Sequence, residues 1–105
     1  AYLGHGLVFN KYTGARGKSG SNDARAEYMA RIRKIMDDAG VQFQTCELGK
    51  VDAGGGGTIA YIPAKYGMDV IDSGVAVLSM HSPWEATSKA DIYEAERGYE
   101  AFLRA

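Results

Sequence analysis

The feature that most constrains the fold is an amphipathic helix followed directly by a β-rich run. Ser21, Asn22 or Asp23 can cap the start of this helix, and Gly40 can end it in the left-handed conformation. The run 41–48 (VQFQTCEL) mixes β-forming and polar residues and predicts a strand. The apolar stripe of a half-buried helix consists of Tyr28, Met29, Ile32, Ile35, Met36 and Ala39.

Further predicted strands and helices lie before and after this helix and strand. The β-rich run 7–13 precedes the helix, and 58–66 predicts a short helix closed by Gly67. Pro63 is comfortable only in a first helical turn, so this helix is expected to start late or bend. Two apolar strands are predicted at 68–71 and 75–80, hydrophobic enough to be covered on both faces.

The last predicted helix begins with Ser88 and has Asp91 at capping-box spacing. Strands alternating with helices indicate an α/β class, with a small mixed or parallel sheet and helices packed on it. Residues 1–105 contain no internal repeat or linker, so they are expected to form one domain or partial domain. The expected apolar stripe of this helix is Ile92, Ala95, Tyr99, Phe102 and Leu103.

Composition excludes several classes of partner. The net charge of -1 gives no reason to expect a nucleic acid or an anionic membrane. No run reaches the ~18 apolar residues of a membrane span, and the first residues lack the pattern of a signal peptide. The single cysteine, Cys46, cannot form an internal disulfide, which suits a reducing compartment. These features together predict a cytoplasmic protein.

The segment Gly17-Lys18-Ser19 looks like a phosphate-binding loop but has the wrong spacing. That motif needs a glycine five positions before Gly17, where this chain has Tyr12. The segment is therefore interpreted as a basic loop. A thiol nucleophile at Cys46 is also disfavoured, because Cys46 lies inside a predicted strand without electropositive surroundings.

Four consecutive glycines, 54–57, precede the short predicted helix. Such a run costs backbone entropy and is kept where the backbone must approach something closely. One interpretation is a substrate-facing loop whose amides point at an anionic or carbonyl group. The other is an ordinary surface loop. The first interpretation also permits a non-enzymatic α/β binding module that holds an anion or a peptide end.

His81 follows an apolar strand in the segment LSMHSPWE (78–85). The crevice beyond the carboxyl ends of strands is where α/β proteins place ligands. Imidazole is a common metal ligand that needs a partner on its second nitrogen, and Glu85 or Ser82 is near enough in sequence. From the residues alone, a hydrogen-bonded structural histidine remains the alternative.

Four segments in this order resemble the C-terminal region of the aspartyl aminopeptidase family, metallopeptidase family eighteen: KYTGARGKSGSN (11–22), DAGGGGTIA (52–60), YGMDVIDSGV (66–75) and LSMHSPWE (78–85). The resemblance implies a zinc-dependent aminopeptidase that removes an N-terminal residue, acidic in the type members, from peptides. It implies the fold of the C-terminal half of a zinc-peptidase catalytic domain.

The resemblance also assigns roles to individual residues. It implies that His81 binds one of two active-site zinc ions, for which cobalt or manganese can substitute. It places a substrate-side loop at Asp52, Gly55, Gly56, Gly57 and Thr58, and gives Lys11 a role in recognising an acidic side chain.

The general base and the other metal ligands of the family precede this region, so the chain alone is expected to be inactive. Its expected partners are a peptide substrate and the remainder of the aminopeptidase chain, within a homo-oligomer that is a dodecamer in many relatives. An apolar surface is expected where that remainder packs.

Overall fold

The computed structural model describes residues 1–12, 24–48 and 59–105, and within these ranges strands and helices alternate as the α/β class requires. The predicted fold class is confirmed. In chain order the elements are β1 (Leu7–Tyr12), α1 (Ala26–Asp38), β2 (Phe43–Leu48), α2 (Tyr61–Ala64), β3 (Asp72–Gly74), β4 (Val77–Leu78), β5 (Ala86–Thr87) and α3 (Lys89–Arg104).

Three strands form a mixed sheet in the order β2-β1-β3. β1 and β2 are parallel, with Leu7 opposite Phe43, and α1 is the connection that a parallel pair requires. β3 is antiparallel to β1, with Val8 opposite Gly74. β4 and β5 form a separate antiparallel pair. The carboxyl ends of β1 and β2 therefore lie side by side, as they do in ligand-binding α/β sheets.

The core lies between β1 and the two long helices. The stripe predicted for α1 is confirmed except at its last member. Ile32 and Met36 are fully buried, and Tyr28, Met29 and Ile35 pack partly buried against them. Ala39 is the C-cap residue and is exposed. Apolar burial of this kind is the main favourable term in folding. The buried cluster consists of Leu7, Phe9, Ile32, Met36, Val41 and Ala95.

The end of α1 is set by Gly40, as predicted. Gly40 has φ +66° and donates its N–H to the Asp37 carbonyl, while Val41 donates to the Met36 carbonyl. This pair of bonds is the Schellman motif, and buried Val41 supplies its hydrophobic contact. At the other end, the N-cap is Arg25, whose side chain makes no capping hydrogen bond. The predicted caps Ser21, Asn22 and Asp23 lie outside the described residues.

The strand predicted at 68–71 is wrong, and the strand predicted at 75–80 is confirmed only in part. β3 occupies Asp72–Gly74, the segment predicted to separate them, because these residues pair with β1. Only Val77–Leu78 of the second run is a strand, and β5 was not predicted. Nor are the apolar residues covered on both faces, since Met68 is 62% and Leu78 is 55% exposed. A run of apolar residues alone does not show which residues pair as strands.

The short helix starts late, as Pro63 required. α2 begins at Tyr61 instead of position 58, and Pro63 lies within its first turn, where a missing N–H breaks no bond. Gly67 closes this segment with φ +73° and donates to the Ala64 carbonyl. The late start leaves Ile59 outside the helix and 78% exposed.

The buried face of α3 differs from the predicted stripe. Asp91, Ala95 and Gly98 are the buried residues of this helix. Ala95 belonged to the prediction, whereas its other members lie on the exposed side. Gly98 allows a close approach to β1, because a Cβ there would lie 2.5 Å from Leu7 Cδ2. The exposed residues of the predicted stripe are Ile92, Tyr99, Phe102 and Leu103.

The predicted capping box at the start of α3 is also wrong. Ser88 is the N-cap residue, but its side chain makes no capping hydrogen bond. The Asp91 carboxylate instead accepts hydrogen bonds from the N–H groups of Gly4 and Gly6, each at 2.8 Å. Tertiary contacts therefore take the carboxylate that local spacing assigned to the helix terminus.

No helix in the described ranges is both long enough and apolar enough to cross a membrane.

Candidate functional site

His81 lies in the loop Ser79–Glu85, which joins β4 to β5. It was predicted to follow an apolar strand, and it does follow one, but this strand is β4 of the separate two-stranded sheet. β4 ends at Leu78 and pairs only with β5 in the described part of the chain. The histidine is therefore presented at the tip of a hairpin.

The backbone of this loop adopts an uncommon conformation. Ser79 has φ +57° and His81 has φ +68°, in the left-handed region that non-glycine residues rarely enter. Each such residue costs on the order of 1–3 kcal/mol and persists when surrounding contacts hold it there. Residues of this kind cluster at functional sites. Of the three non-glycine residues with positive φ in the described ranges, two, Ser79 and His81, lie in this loop, and the third is Ala24.

Side chains within the loop hold this conformation. The Glu85 carboxylate accepts a hydrogen bond from the backbone N–H of His81. The Ser82 hydroxyl lies 2.6 Å from the Ser79 carbonyl oxygen and 2.7 Å from that of Trp84, and donates to one of them at a time. The Ser82 N–H also donates to the Ser79 carbonyl at 3.0 Å. Glu85 and Ser82 were predicted to orient the imidazole itself, but they bind the backbone instead.

The His81 side chain is exposed, and imidazole is a common metal ligand. Across ranges 1–12, 24–48 and 59–105, no group of three or more His, Cys, Asp or Glu residues could hold a metal ion. A stable zinc site needs three or four protein ligands. The role of His81 as a zinc ligand stays a prediction, because these ranges hold no second and third ligand beside it.

Lys11 lies near the carboxyl end of β1, opposite Glu47 of the parallel strand β2. A cavity of about 310 Å³ opens at this edge of the sheet. An ammonium here can bind an anionic group, while the carboxylate next to it favours a cation. The cavity is lined by Phe9, Lys11, Ala24, Met29, Thr45, Cys46 and Glu47.

The other predicted site residues, Asp52, Gly55, Gly56, Gly57 and Thr58, lie outside the described residues. Their assignment to a substrate-side loop stays a prediction. The structure therefore places two of the predicted site residues: Lys11 on the main sheet and His81 on the hairpin.

Besides Tyr2 near the first residue, large apolar side chains are exposed in three groups in the described part of the chain. The hairpin patch is Leu78, Met80 and Trp84, of which Trp84 is 87% exposed. A second group surrounds α2 and a third lies on α3. An apolar groove of about 390 Å³ also opens between α1, α3 and residues 63–73. Surface of this extent marks an interaction site. The α2 group is Ile59, Tyr61, Ile62, Tyr66 and Met68, and the α3 group is Ile92, Tyr93, Tyr99, Phe102 and Leu103.

The described surface bears on the two sequence hypotheses. A free-standing binding module would show a closed core, whereas this core opens into a groove. The apolar surface expected of a partial domain is present. These observations do not favour the binding-module alternative.

Sequence reasoning missed what Glu85 does. It noted that the residue is near His81, but assumed contact with the imidazole. One signal in the sequence was available. Glu85 follows His81 by four residues, with Ser82 and Pro83 between them, and a side chain at this distance can reach back to a backbone N–H. The positive φ angles of Ser79 and His81 could not be predicted from the sequence, because neither residue is a glycine.

Comparisons with known proteins identify the family of this chain. The sequence model of the family described as "Aminopeptidase I zinc metalloprotease (M18)" matches residues 1–103. A probable M18 family aminopeptidase 1 from Clostridium acetobutylicum is 69% identical over 98% of this chain and 22% of its own length. One from Thermotoga maritima is 54% identical over 96% of this chain and 22% of its length. The chain thus spans about a fifth of the length of the curated relatives it matches.

Solved structures give the same result. The crystal structure of aminopeptidase I from Clostridium acetobutylicum superposes with a TM-score of 0.86 over 98% of this chain and 23% of its own. The M18 aminopeptidase of Thermotoga maritima gives 0.84 over 96% of this chain and 22% of its own, at 54% identity. The crystal structure of aminopeptidase I from Borrelia burgdorferi superposes with a TM-score of 0.79 at 39% identity. The match covers 100% of this chain and 22% of that one. This chain belongs to the M18 family of aminopeptidase I zinc metalloproteases.

Proposed function

We propose that this chain is the C-terminal part of the catalytic domain of a zinc-dependent aminopeptidase, and that His81 is one of its zinc ligands. The observation that carries the proposal is the family match over residues 1–103, with His81 held at a hairpin tip by Glu85. Bound zinc supplies Lewis-acid activation of the scissile carbonyl and of a water nucleophile.

The chain contributes one ligand, so it is inactive alone. The described ranges hold no cluster that could bind zinc, and the general base and remaining ligands come from the rest of a longer polypeptide. The two-zinc centre, with cobalt or manganese as substitutes, belongs to that complete protein. Relatives whose own chains are several times longer support this arrangement.

Lys11 reads the side chain of the N-terminal substrate residue. Its position at the carboxyl end of β1, beside a cavity, supports binding of an acidic side chain through a charge-assisted hydrogen bond. Asp52 and the glycines through Thr58 contact the same substrate, as the family resemblance implies. Substrates with N-terminal Asp or Glu are therefore preferred.

The exposed apolar groups pack against the remainder of the aminopeptidase chain and its neighbours in a homo-oligomer, a dodecamer in the complete cytoplasmic enzyme. Support comes from Trp84 and Leu103, which are 87% and 82% exposed. Burying one large apolar side chain stabilises by about 1.5–3 kcal/mol.

Zinc content and activity test the proposal. Metal analysis and hydrolysis of aminoacyl chromogenic substrates are compared for the 105-residue chain and for the full-length protein that contains it. The full-length protein is expected to hold two zinc ions per subunit and to be active, and the short chain to show neither. Stoichiometric zinc or activity in the short chain would overturn the proposal.

A further inference from the structure

The hairpin loop that carries His81 contains an acidic residue with no assigned role. Glu85 ends the loop at the start of β5, and its carboxylate accepts a hydrogen bond from the backbone N–H of His81. The bond closes the loop across its tip. It acts on the main chain of the histidine, so it affects where the imidazole points without touching the imidazole.

The conformation that this bond holds is one that histidine does not readily adopt. His81 has φ +68° and Ser79, two residues earlier, has φ +57°. A loop without its internal bonds would relax toward negative φ, where non-glycine residues are stable. Rotation about φ at His81 would swing the side chain to a different direction from the hairpin axis.

The rest of the hairpin makes Glu85 the decisive contact at His81. The Ser82 hydroxyl donates to the carbonyl of either Ser79 or Trp84, and Thr87 Oγ1 donates to the Ala76 carbonyl at 2.7 Å. These bonds fix the base and sides of the loop. In the described residues, the His81 N–H bonds to Glu85, and a carboxylate acceptor makes such a bond stronger than a neutral one.

We propose that Glu85 is a positioning residue, which fixes the left-handed backbone of His81 and thereby aims its imidazole at the metal. This inference rests on the proposed zinc-peptidase function. Metal sites depend on contacts behind the ligands as well as on the ligands themselves, and losing such a contact typically costs 10–100-fold in metal affinity.

Three substitutions separate position from charge. Glu85→Gln keeps an acceptor oxygen at the same reach and removes the charge. Glu85→Asp keeps the charge and shortens the reach by one methylene. Glu85→Ala removes both, and Glu96→Ala is the matched control at an exposed glutamate of α3. If the acceptor position matters, Gln retains function better than Asp; if only negative charge near zinc matters, Asp is better than Gln.

The measurement is zinc affinity by chelator competition in the full-length protein, with kcat and KM recorded beside it. We expect Glu85→Ala to weaken zinc binding by about 10–100-fold, Asp by less, and Gln by no more than a few-fold. kcat should follow zinc affinity while KM changes little, because Glu85 does not touch substrate. Glu96→Ala should match the unaltered protein.

His81→Ala in the same protein distinguishes the two proposals. If His81→Ala abolishes tight zinc binding while Glu85→Ala leaves it unchanged, the positioning role is wrong and the proposed function stands. If His81→Ala leaves zinc binding and activity unchanged, the proposed function itself fails. A lower melting temperature for Glu85→Ala with unchanged zinc affinity shows a merely structural role and also overturns the inference.

Discussion

The buried carboxylate of Asp91 binds the backbone of Gly6, with Oδ1 accepting its N–H at 2.8 Å, and so joins the start of α3 to the entry of the central strand. Oδ2 binds the N–H of Gly4 at the same distance, and the Asp91 residue is only 1% exposed. Both oxygens are thus satisfied by main-chain donors, which a buried carboxylate requires.

Removing this carboxylate should destabilise the chain strongly. Asp91→Ala leaves two N–H groups without acceptors and is expected to lower the free energy of unfolding by about 3 kcal/mol, measured by urea denaturation. Asp91→Asn keeps one acceptor and should lose less, about 1–2 kcal/mol. If Asp91→Ala is as stable as the surface control Glu96→Ala, the bonds contribute nothing to stability.

Gly6 and Gly4 form a matched pair for separating a steric effect from a backbone effect. Both have positive φ, +90° and +81°. A Cβ on Gly6 would lie 2.2 Å from the Gln42 carbonyl oxygen, whereas nothing lies within 4 Å of one on Gly4. Gly4→Ala should therefore cost about 1–2 kcal/mol from backbone strain, and Gly6→Ala at least about 3 kcal/mol. Equal losses in thermal or urea unfolding would contradict the close approach at Gly6.

Lys11 should affect substrate selectivity more than catalysis in general. In the full-length protein, Lys11→Ala is expected to lower kcat/KM for N-terminal aspartyl or glutamyl substrates by about 10–100-fold, the value of a hydrogen bond between charged groups. A leucyl substrate should be nearly unaffected, and Lys11→Arg should restore part of the loss. An equal loss for acidic and apolar substrates would show that Lys11 does not read the side chain.

Trp84 reports on whether the hairpin patch is covered in the complete protein. It is the only tryptophan of the chain and is 87% exposed, so acrylamide should quench its fluorescence nearly as well as in urea-unfolded chain. In the full-length protein, the signal removed by Trp84→Phe should be protected from the quencher. Similar quenching of Trp84 in the two proteins would show that this patch stays in solvent.

The pKa of Tyr28 determines how this residue affects the free energy of unfolding at alkaline pH. Burial, together with the nearby Asp69 carboxylate, raises the pKa of the Tyr28 phenol above its usual 10.0, while Arg31 opposes the shift. The folded state thus holds this proton more tightly than the unfolded state does. Its contribution to stability is complete below pH 10 and is lost as the pH rises through the folded pKa. Unfolding of Tyr28→Phe should depend less steeply on pH in that range.

Local signals in the sequence predicted the parts of the fold that local contacts decide. The α1 stripe and Gly40 were predictable because helix periodicity and a left-handed terminus are properties of neighbouring residues. β3 was not, since its pairing with β1 joins Ser73 to Phe9 across most of the chain. Asp91 shows the same limit: its spacing from Ser88 suggested a cap, but distant N–H groups bind it.

The candidate site was also predicted only in part from the sequence. The residues alone left His81 between a metal ligand and a structural histidine, and resemblance to the family favoured the ligand. The role of Glu85 depends on the φ angle of His81, which residue types do not encode outside glycine. A prediction from sequence can therefore name a candidate ligand and still miss the hydrogen bond to its backbone.

The bond between Gly6 and Asp91 spans 85 positions, which has a consequence during synthesis. Gly6 leaves the ribosome long before Asp91 has been made, and at ~5–20 residues per second the delay is roughly 4–17 s. The entry to the central strand must wait through that interval without its buried acceptor. Folding of this segment is thus completed only after nearly all of these residues have been translated, because Asp91 lies in the last of the described helices.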